Sequence, residues 1–190
     1  MNQSIAWEEH PSRAVSEDTE LVLAAQQDPA AFRPLYQKWL TPVYRYFFFR
    51  LGNVKDAEDL TSQVFLKAME DLPRYRSRYR FSTWLFTIAH ARIVDYFRKG
   101  GREVALENAE YIFAAQDPLV QTIRDDELDR LVVLVKQLKE DEQELIRLRF
   151  FAGLNYREIG EIVHRSEEAV RKSISRLLER LHVGMEEDHE

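Results

Sequence analysis

Aromatic and arginine side chains alternate in one short stretch of this 190-residue chain. Four arginines fall within residues 74–80, and the whole set is Arg74, Tyr75, Arg76, Arg78, Tyr79, Arg80, Phe81 and Trp84. Exposed rings stack on unpaired bases at roughly 1–3 kcal/mol each, while guanidinium groups hold the phosphates of the strand. Core packing explains Phe81 and part of Trp84, but it does not explain four neighbouring arginines. The stretch therefore predicts a site for single-stranded nucleic acid.

A second set of candidate binding residues lies near the C-terminal end. The apolar spacing predicts a short helix, a three-residue turn and a longer helix, which is the geometry that places a second helix in the major groove of DNA. Asn155 and Glu158 form a capping-box pattern at the first helix, and Gly160 is small where the second helix must approach. The outward face of the last helix carries Arg171, Lys172, Ser175, Arg176 and Arg180, which suit guanine edges and phosphates. An ordinary helical hairpin with a solvated basic face remains the alternative.

Two features of this helix pair are unusual for a DNA reader. Glu167 and Glu168 stand in the first turn of the last helix, where they favour the helix dipole but repel phosphates. A carboxylate there can instead accept a hydrogen bond from a cytosine amino group. His164 occupies the turn position where glycine is preferred, although histidine tolerates a positive φ better than most residues.

The elements that must position these residues are helices. The apolar residues, 45% of the chain, recur at helical spacing, and there are only 6 glycines and 6 prolines, which predicts an all-α fold. Ser16 is expected to cap the first helix, and Asp28-Pro29 to start a longer one. Pro34 should either kink that longer helix or shift its true start to a later residue, and Pro42 raises the same question further along. Further helices are expected over 55–72 and 82–99.

Charge divides the chain into blocks. The net charge is −6, yet residues 29–102 carry +8 and residues 103–129 carry −7. This segregation predicts two small helical domains on a flexible acidic linker, the C-terminal one a helix-turn-helix. The predicted boundaries are an acidic N-terminal extension 1–15, a first domain 16–101, the linker 102–117, a second domain 118–183 and an acidic tail 184–190. Acidic residues 1–28 could also cover the basic domain.

Composition excludes several classes of protein. Without cysteine the chain has no disulfide and no thiolate zinc site, and its five histidines lack metal-ligand spacing, so we expect no metal and no cofactor. The carboxylates fall on solvated helix faces or connectors, so we do not expect an enzyme. The N-terminus is not a signal peptide, and no apolar run reaches the length of a membrane span, so we expect a cytoplasmic protein without membrane insertion.

In combination these motifs resemble the extracytoplasmic-function (ECF) sigma factors, the compact initiation subunits of bacterial RNA polymerase. The similarity follows the order and spacing of that family over about residues 16–182. The main segments that match the family pattern are Asp28–Phe32, Asp56–Thr61, Val64–Ala68, Thr83–Leu85, Leu145–Phe150, Gly153–Tyr156 and Ala169–Arg171. A classical transcription regulator with the same C-terminal module is the alternative, but the first domain shows no ligand or phosphate-acceptor pattern.

The resemblance implies a protein that binds core RNA polymerase, directs it to promoters and helps to open the DNA. It implies minus-ten recognition and melting by Arg76, Arg78, Tyr79, Phe81, Ser82, Thr83, Trp84, Arg92 and Arg98. It implies minus-thirty-five recognition by Tyr156, Arg157, Glu167, Arg171, Lys172, Ser175, Arg176 and Arg180. It implies polymerase binding by Asp59, Leu60, Gln63, Leu66, Lys67 and Glu70. Core polymerase and promoter DNA are the implied partners, with an anti-sigma factor as a further candidate.

Overall fold

The computed structural model describes residues 11–76, 80–100 and 125–187. These ranges contain eight α-helices and no β-strand, which confirms the predicted all-α fold. The helices are α1 (Pro11–Gln27), α2 (Arg33–Leu51), α3 (Val54–Asp71), α4 (Phe81–Arg98), α5 (Asp125–Lys136), α6 (Glu140–Ile146), α7 (Tyr156–Val163) and α8 (Glu167–Glu187). Among the described residues, none of the helices is both long and apolar enough to cross a membrane.

Local sequence signals set most boundaries in the first domain. The Asp28 side chain accepts a hydrogen bond from the Ala30 amide at 2.9 Å and caps a single 3-10 turn, Pro29–Phe32. Gly52 ends α2 in the left-handed conformation at φ 66°, and the Asn53 side chain caps α3 by accepting from the Asp56 amide at 3.1 Å. These caps satisfy backbone groups that the helix ends leave open.

Two expectations about these helices were wrong, those for Ser16 and for Pro42, whereas one of the two alternatives for Pro34 is confirmed. Helix α1 begins at Pro11, five residues before the predicted cap Ser16. The true start of α2 is shifted to Arg33, so that Pro34 falls in its first turn, where its missing N–H costs nothing. Pro42 lies inside α2, which continues unbroken to Leu51.

Aromatic side chains fill the core of the first domain. Tyr46, Phe47 and Phe48 on α2 and Phe86 on α4 are fully buried. Phe86 meets the ring of Tyr46 edge to face at 5.7 Å between centroids, a favoured geometry for aromatic pairs. Since α3 packs on both α2 and α4, the three helices form the base of the first domain.

The second domain contains the predicted helix-turn-helix. Asn155 and Glu158 form the expected capping box at the start of α7, and His164 ends that helix in the left-handed region at φ 56°. A Cβ on Gly160 would lie 2.5 Å from the carbonyl oxygen of Arg165, so only glycine permits this approach of the turn to α7. Preceding α7, helix α6 continues into one π-helical turn, Arg147–Phe151.

The two domains contact each other, whereas the sequence predicted separate units on a tether. Residues 102–117, the predicted linker, lie outside the described residues. The rings of Phe49 on α2 and Phe151 stack at 3.7 Å between centroids and 13° between planes. Arg50 forms an ion pair with Glu140 of α6 at 2.7 Å. The structure is therefore a closed arrangement of both domains.

Glu144 of α6 is a carboxylate buried at this domain junction. Its Oε1 accepts a hydrogen bond from the Tyr46 hydroxyl at 2.6 Å and lies 2.9 Å from His90 Nδ1, while its Oε2 accepts from Arg147 Nε at 3.1 Å. Burial alone would raise the pKa of Glu144, but hydrogen bonds from His90 and Tyr46 and the charge of Arg147 outweigh it and lower that pKa to about 2. Burial and the neighbouring Glu144 raise the pKa of Tyr46, so its hydroxyl stays protonated and donates.

Stability should fall in acid because of Glu144. Its folded pKa of about 2 lies below the ordinary value of 4.5, so its contribution is complete above the ordinary value and is lost as the pH falls from 4.5 toward 2. The loss should be about 3 kcal/mol in the free energy of unfolding. Urea unfolding over that range measures it in the wild type, in Glu144→Gln and in the exposed control Glu179→Gln. Glu144→Gln should show a flatter pH dependence than the other two; equal slopes in all three proteins would contradict the assignment.

Candidate nucleic-acid interface

The first candidate site surrounds the start of α4. Tyr75, Phe81 and Trp84 form a ring cluster, with the Tyr75 and Trp84 centroids 4.8 Å apart and the Phe81 and Trp84 centroids 5.6 Å apart. Phe81 is buried, Tyr75 and Trp84 are half-buried, and Arg76 and Arg80 are exposed beside them. Phe81 therefore supports the cluster from below, while the other two rings can present faces to a base. Arg78 and Tyr79 lie outside the described residues.

Gln26 of α1 holds this site in place, a role that was not predicted from the sequence. Its side-chain amide donates to the backbone carbonyls of Leu72 at 2.9 Å and Tyr75 at 2.8 Å. These bonds fix the chain that leaves α3 and leads into the ring cluster. No local pattern links Gln26 to residues almost fifty positions away, so only the fold reveals the contact.

Ser82 and Thr83, also predicted to read the minus-ten element, are covered by the second domain. Both are buried, and the Ser82 hydroxyl donates to Glu158 Oε1 of α7. Arg80 NH1 lies 3.9 Å from the same oxygen. The Thr83 hydroxyl is buried without a hydrogen-bond partner among the described residues. In the closed arrangement, the start of α4 is therefore occupied by α7.

Arg92 and Arg98 lie on the same helix but far from the ring cluster. At 1.5 Å per residue, Arg92 stands about 15 Å along α4 from Ser82, and Arg98 lies at the far end. Arg98 is exposed and forms an ion pair with Asp95 at 2.9 Å. These two cations suit phosphates further along a strand rather than the bases held at the start of α4.

The second candidate site is the outer surface of the helix-turn-helix. All predicted residues on α8 are exposed: Glu167, Arg171, Lys172, Ser175, Arg176 and Arg180. Arg171 donates to Glu167 Oε1 at 2.6 Å, and Lys172 forms an ion pair with Glu168 at 2.7 Å. The acidic first turn therefore neutralises the two cations that stand one turn further along the helix. Arg157 of α7 is exposed as well and pairs with Glu161 at 3.3 Å.

Tyr156 connects the cations of this face. Its ring is half-buried, and two guanidinium groups lie over it. That of Arg149 is 4.7 Å and that of Arg171 is 5.7 Å from the ring centroid. Arg149 also donates to the carbonyl of Leu154 at 3.0 Å, which places it beside the turn. Arg149 was not predicted, because it precedes the motif and only the fold brings it to Tyr156. The ring gives Arg171 a fixed orientation beside the groove-reading face.

Arg176 and Arg180 differ in their surroundings. Arg180 donates two hydrogen bonds to Glu142 of α6, at 2.8 and 3.3 Å, and so joins α8 to the rest of its domain. The hydrogen bond from Arg180 lowers the pKa of Glu142. Arg176 has no ion pair with any residue in the described ranges, which leaves its charge available for a phosphate or a guanine.

The predicted polymerase-binding residues lie on α3. Asp59, Gln63, Leu66 and Glu70 are exposed, and Lys67 is half-buried in an ion pair with Asp71 at 2.9 Å. Leu60 is only 5% exposed and belongs to the core. Leu66 is 63% exposed, and Met69 beside it, which was not predicted, is 45% exposed. The face is thus a small apolar spot within polar side chains, as a protein-binding helix face requires.

Comparison with known proteins identifies two family regions in this chain. The family model "Sigma-70 region 2" matches residues 35–103, and "Sigma-70, region 4" matches residues 134–182. The RNA polymerase sigma factor YlaC of Bacillus subtilis is 30% identical over 151 residues, which cover 75% of this chain and 84% of YlaC. The ECF RNA polymerase sigma factor BldN of Streptomyces coelicolor is 31% identical over 160 residues, which cover 80% of this chain but 60% of BldN.

A solved structure shares the fold. The sigma factor RpoE of Bartonella quintana, in complex with the anti-sigma factor NepR, superposes with a TM-score of 0.61 at 23% sequence identity. The superposition covers 81% of this chain and 96% of RpoE. At this identity the similarity establishes the architecture alone.

Removing the two carboxylates in the first turn of α8 should strengthen DNA binding. The double variant Glu167→Gln, Glu168→Gln frees Arg171 and Lys172 and removes repulsion of phosphates, so affinity for a fluorescent mixed-sequence duplex should rise. The slope of log affinity against log salt should steepen by about 0.9 for each additional phosphate that the protein neutralises. Fluorescence anisotropy at several salt concentrations measures both quantities. Glu20→Gln, the same kind of charge change at an exposed position on α1, should leave them unchanged; an equal increase in that control would refute a specific effect.

Proposed function

Because the chain belongs to the ECF group of the sigma-70 family of RNA polymerase sigma factors, we propose that its two domains divide one promoter between them. As a sigma factor, it binds core RNA polymerase and directs transcription initiation, and it is not an enzyme. The first domain, within residues 16–101, holds the unpaired minus-ten strand at the start of α4. The second, within residues 118–183, reads the minus-thirty-five duplex with α8.

The ring cluster beside exposed arginines is the observation that carries the minus-ten assignment. Tyr75 and Trp84 are held half-exposed by the buried Phe81 below them and by the Gln26 anchor behind. Held rings of this kind stack on a base without first becoming ordered, which lowers the entropic cost of binding. Arg76 and Arg80 lie where they can pair with the phosphates on either side of such a base.

The minus-thirty-five assignment is supported by the geometry of α8. Arg171 is oriented by Tyr156, and Arg176 next to it is unpaired within the described residues. Arginine contacts guanine through two parallel hydrogen bonds, so a fixed guanidinium favours base reading over simple phosphate neutralisation. Glu167, at the start of the helix, can hold Arg171 in that orientation or accept from a cytosine.

The exposed face of α3 is proposed to bind core polymerase, with Leu66 at its centre. An anti-sigma factor, the partner of RpoE in its solved complex, is the class of regulator that we propose for this chain as well. Because core polymerase and the chromosome are cytoplasmic in bacteria, we propose that the protein acts there.

Leu66→Ala should weaken the complex with core polymerase. Truncating an exposed leucine at the centre of an interface costs about 1 kcal/mol or more, which corresponds to roughly fivefold in the dissociation constant. The matched control is Leu23→Ala on α1, because Leu23 is 55% exposed against 63% for Leu66. Titration of labelled protein with core polymerase measures both affinities. An equal loss in the two variants, or none in Leu66→Ala, would remove α3 from the interface.

Arg76→Ala should impair promoter opening without changing the affinity for core polymerase. Loss of one charge-assisted hydrogen bond to a phosphate should reduce the opened fraction by roughly tenfold. Permanganate reactivity of thymines in the minus-ten region, with run-off transcription on a promoter library, measures opening directly. Arg33→Ala is the matched control, since Arg33 is an exposed arginine at the start of α2 and outside the proposed site. Normal melting by Arg76→Ala would refute this part of the site.

A further inference from the structure

We propose that the isolated chain is closed by Glu158, whose carboxylate occupies the start of α4 where the minus-ten strand binds in the open protein. This inference rests on the proposed assignment of Ser82 and Thr83 to promoter opening. It adds that α7, the first helix of the helix-turn-helix, is an internal competitor of the DNA. The closed form then keeps its own melting site covered until core polymerase separates the domains.

Glu158 makes contacts within its own domain and across the junction at once. Its Oε2 accepts from the backbone amide of Asn155 at 2.9 Å, as the capping box of α7 requires. Its Oε1 accepts from the Ser82 hydroxyl and lies 3.9 Å from Arg80 NH1. The residue is only 6% exposed. One carboxylate therefore couples the start of the helix-turn-helix to the start of α4.

The start of α4 is suited to an anion. Helix α4 has 18 residues, and Arg80 at its N-cap position makes no side-chain capping hydrogen bond, so the partial positive charge of the helix end is not satisfied locally. The buried Thr83 hydroxyl has no hydrogen-bond partner in the described ranges and lines a cavity of about 510 Å³ between α4 and α7. A DNA phosphate would fill the same position as the Glu158 carboxylate.

The remaining contacts at the junction make the closed form specific but reversible. They include the Phe49–Phe151 stack, the Arg50–Glu140 ion pair and the Tyr46 and His90 contacts with Glu144. Three of these four contacts are polar, and polar groups regain water when the domains separate. They therefore oppose opening less than apolar contacts would, which allows a partner that binds each domain separately to open the junction.

The closure affects the two DNA sites differently. Ser82 and Thr83 are buried, whereas Arg171, Lys172 and Arg176 on α8 remain exposed in the same structure. The closed chain should therefore still contact duplex DNA but should bind single strands poorly. Weak binding of single strands together with normal binding of duplex DNA therefore distinguishes the closed form from a protein that has lost DNA binding in general.

Glu158→Gln is the direct test. Glutamine keeps an oxygen for the cap of α7 but removes the charge at the start of α4, so affinity of the isolated protein for a fluorescent mixed-sequence single strand should rise by roughly tenfold. Duplex affinity should change little. Glu20→Gln, with the same charge change at an exposed position on α1, should alter neither affinity. Thermal unfolding by circular dichroism establishes that both variants are folded.

Domain separation can be measured independently of DNA. The chain has no cysteine, so Glu20→Cys with Lys136→Cys gives a unique pair of spin labels, one on each domain, at exposed positions outside the proposed sites. The interspin distance should be short and narrow in the free protein and should lengthen with core polymerase or with Glu158→Gln. Tyr46→Phe, which removes the hydroxyl bonded to Glu144, is a second opening variant if Glu158→Gln does not fold.

The outcomes are distinguishable. A broad, long distance in the free wild type, unchanged by either variant, would refute the closure and leave the proposed function intact. A closed wild type that opens in the variants without tighter binding of the single strand would overturn the claim that Glu158 competes with DNA. Opening together with tighter single-strand binding would support both steps.

Discussion

A carboxylate removed from water must be compensated by hydrogen bonds or charge, and this constraint operates at both ends of the domain junction. Glu144 is compensated by Arg147 from its own domain and by Tyr46 and His90 from the other. Glu158 is compensated by Asn155 from its own domain and by Ser82 from the other. Each carboxylate therefore has one set of partners that persists when the domains separate and one set that exists only when they are closed.

This division explains how the junction between the two domains can be well ordered and still open reversibly. A junction made only of apolar side chains would expose a large unfavourable surface on opening. Here the ring stack of Phe49 on Phe151 is accompanied by the Arg50–Glu140 ion pair and by the Tyr46 and His90 contacts with Glu144. The closed arrangement therefore depends in part on polar groups that water can satisfy when the domains separate.

The same use of carboxylates continues on the recognition helix. Glu167 and Glu168 stabilise the start of α8 through its dipole and hold Arg171 and Lys172 by ion pairs one turn along. Exposed pairs of this kind are weak, so DNA can replace them. The ion pairs orient the two cations, and under the proposed function a phosphate or a base would compete with the carboxylates for them.

Short-range sequence patterns suffice to predict most of the helices and the helix-turn-helix. Asp28, Asn53 and the Asn155–Glu158 pair set helix starts because caps act over three or four residues, and Gly160 followed from the close approach that every such turn needs. These patterns also indicated the family, because the spacing of many loose motifs is jointly restrictive. The folded chain alone shows that Gln26 anchors the ring cluster, that Arg149 meets Tyr156, that Leu60 is buried and that Glu158 reaches Ser82. Most of those contacts join residues far apart in the chain, and no local periodicity or charge pattern encodes which distant groups a folded backbone brings together.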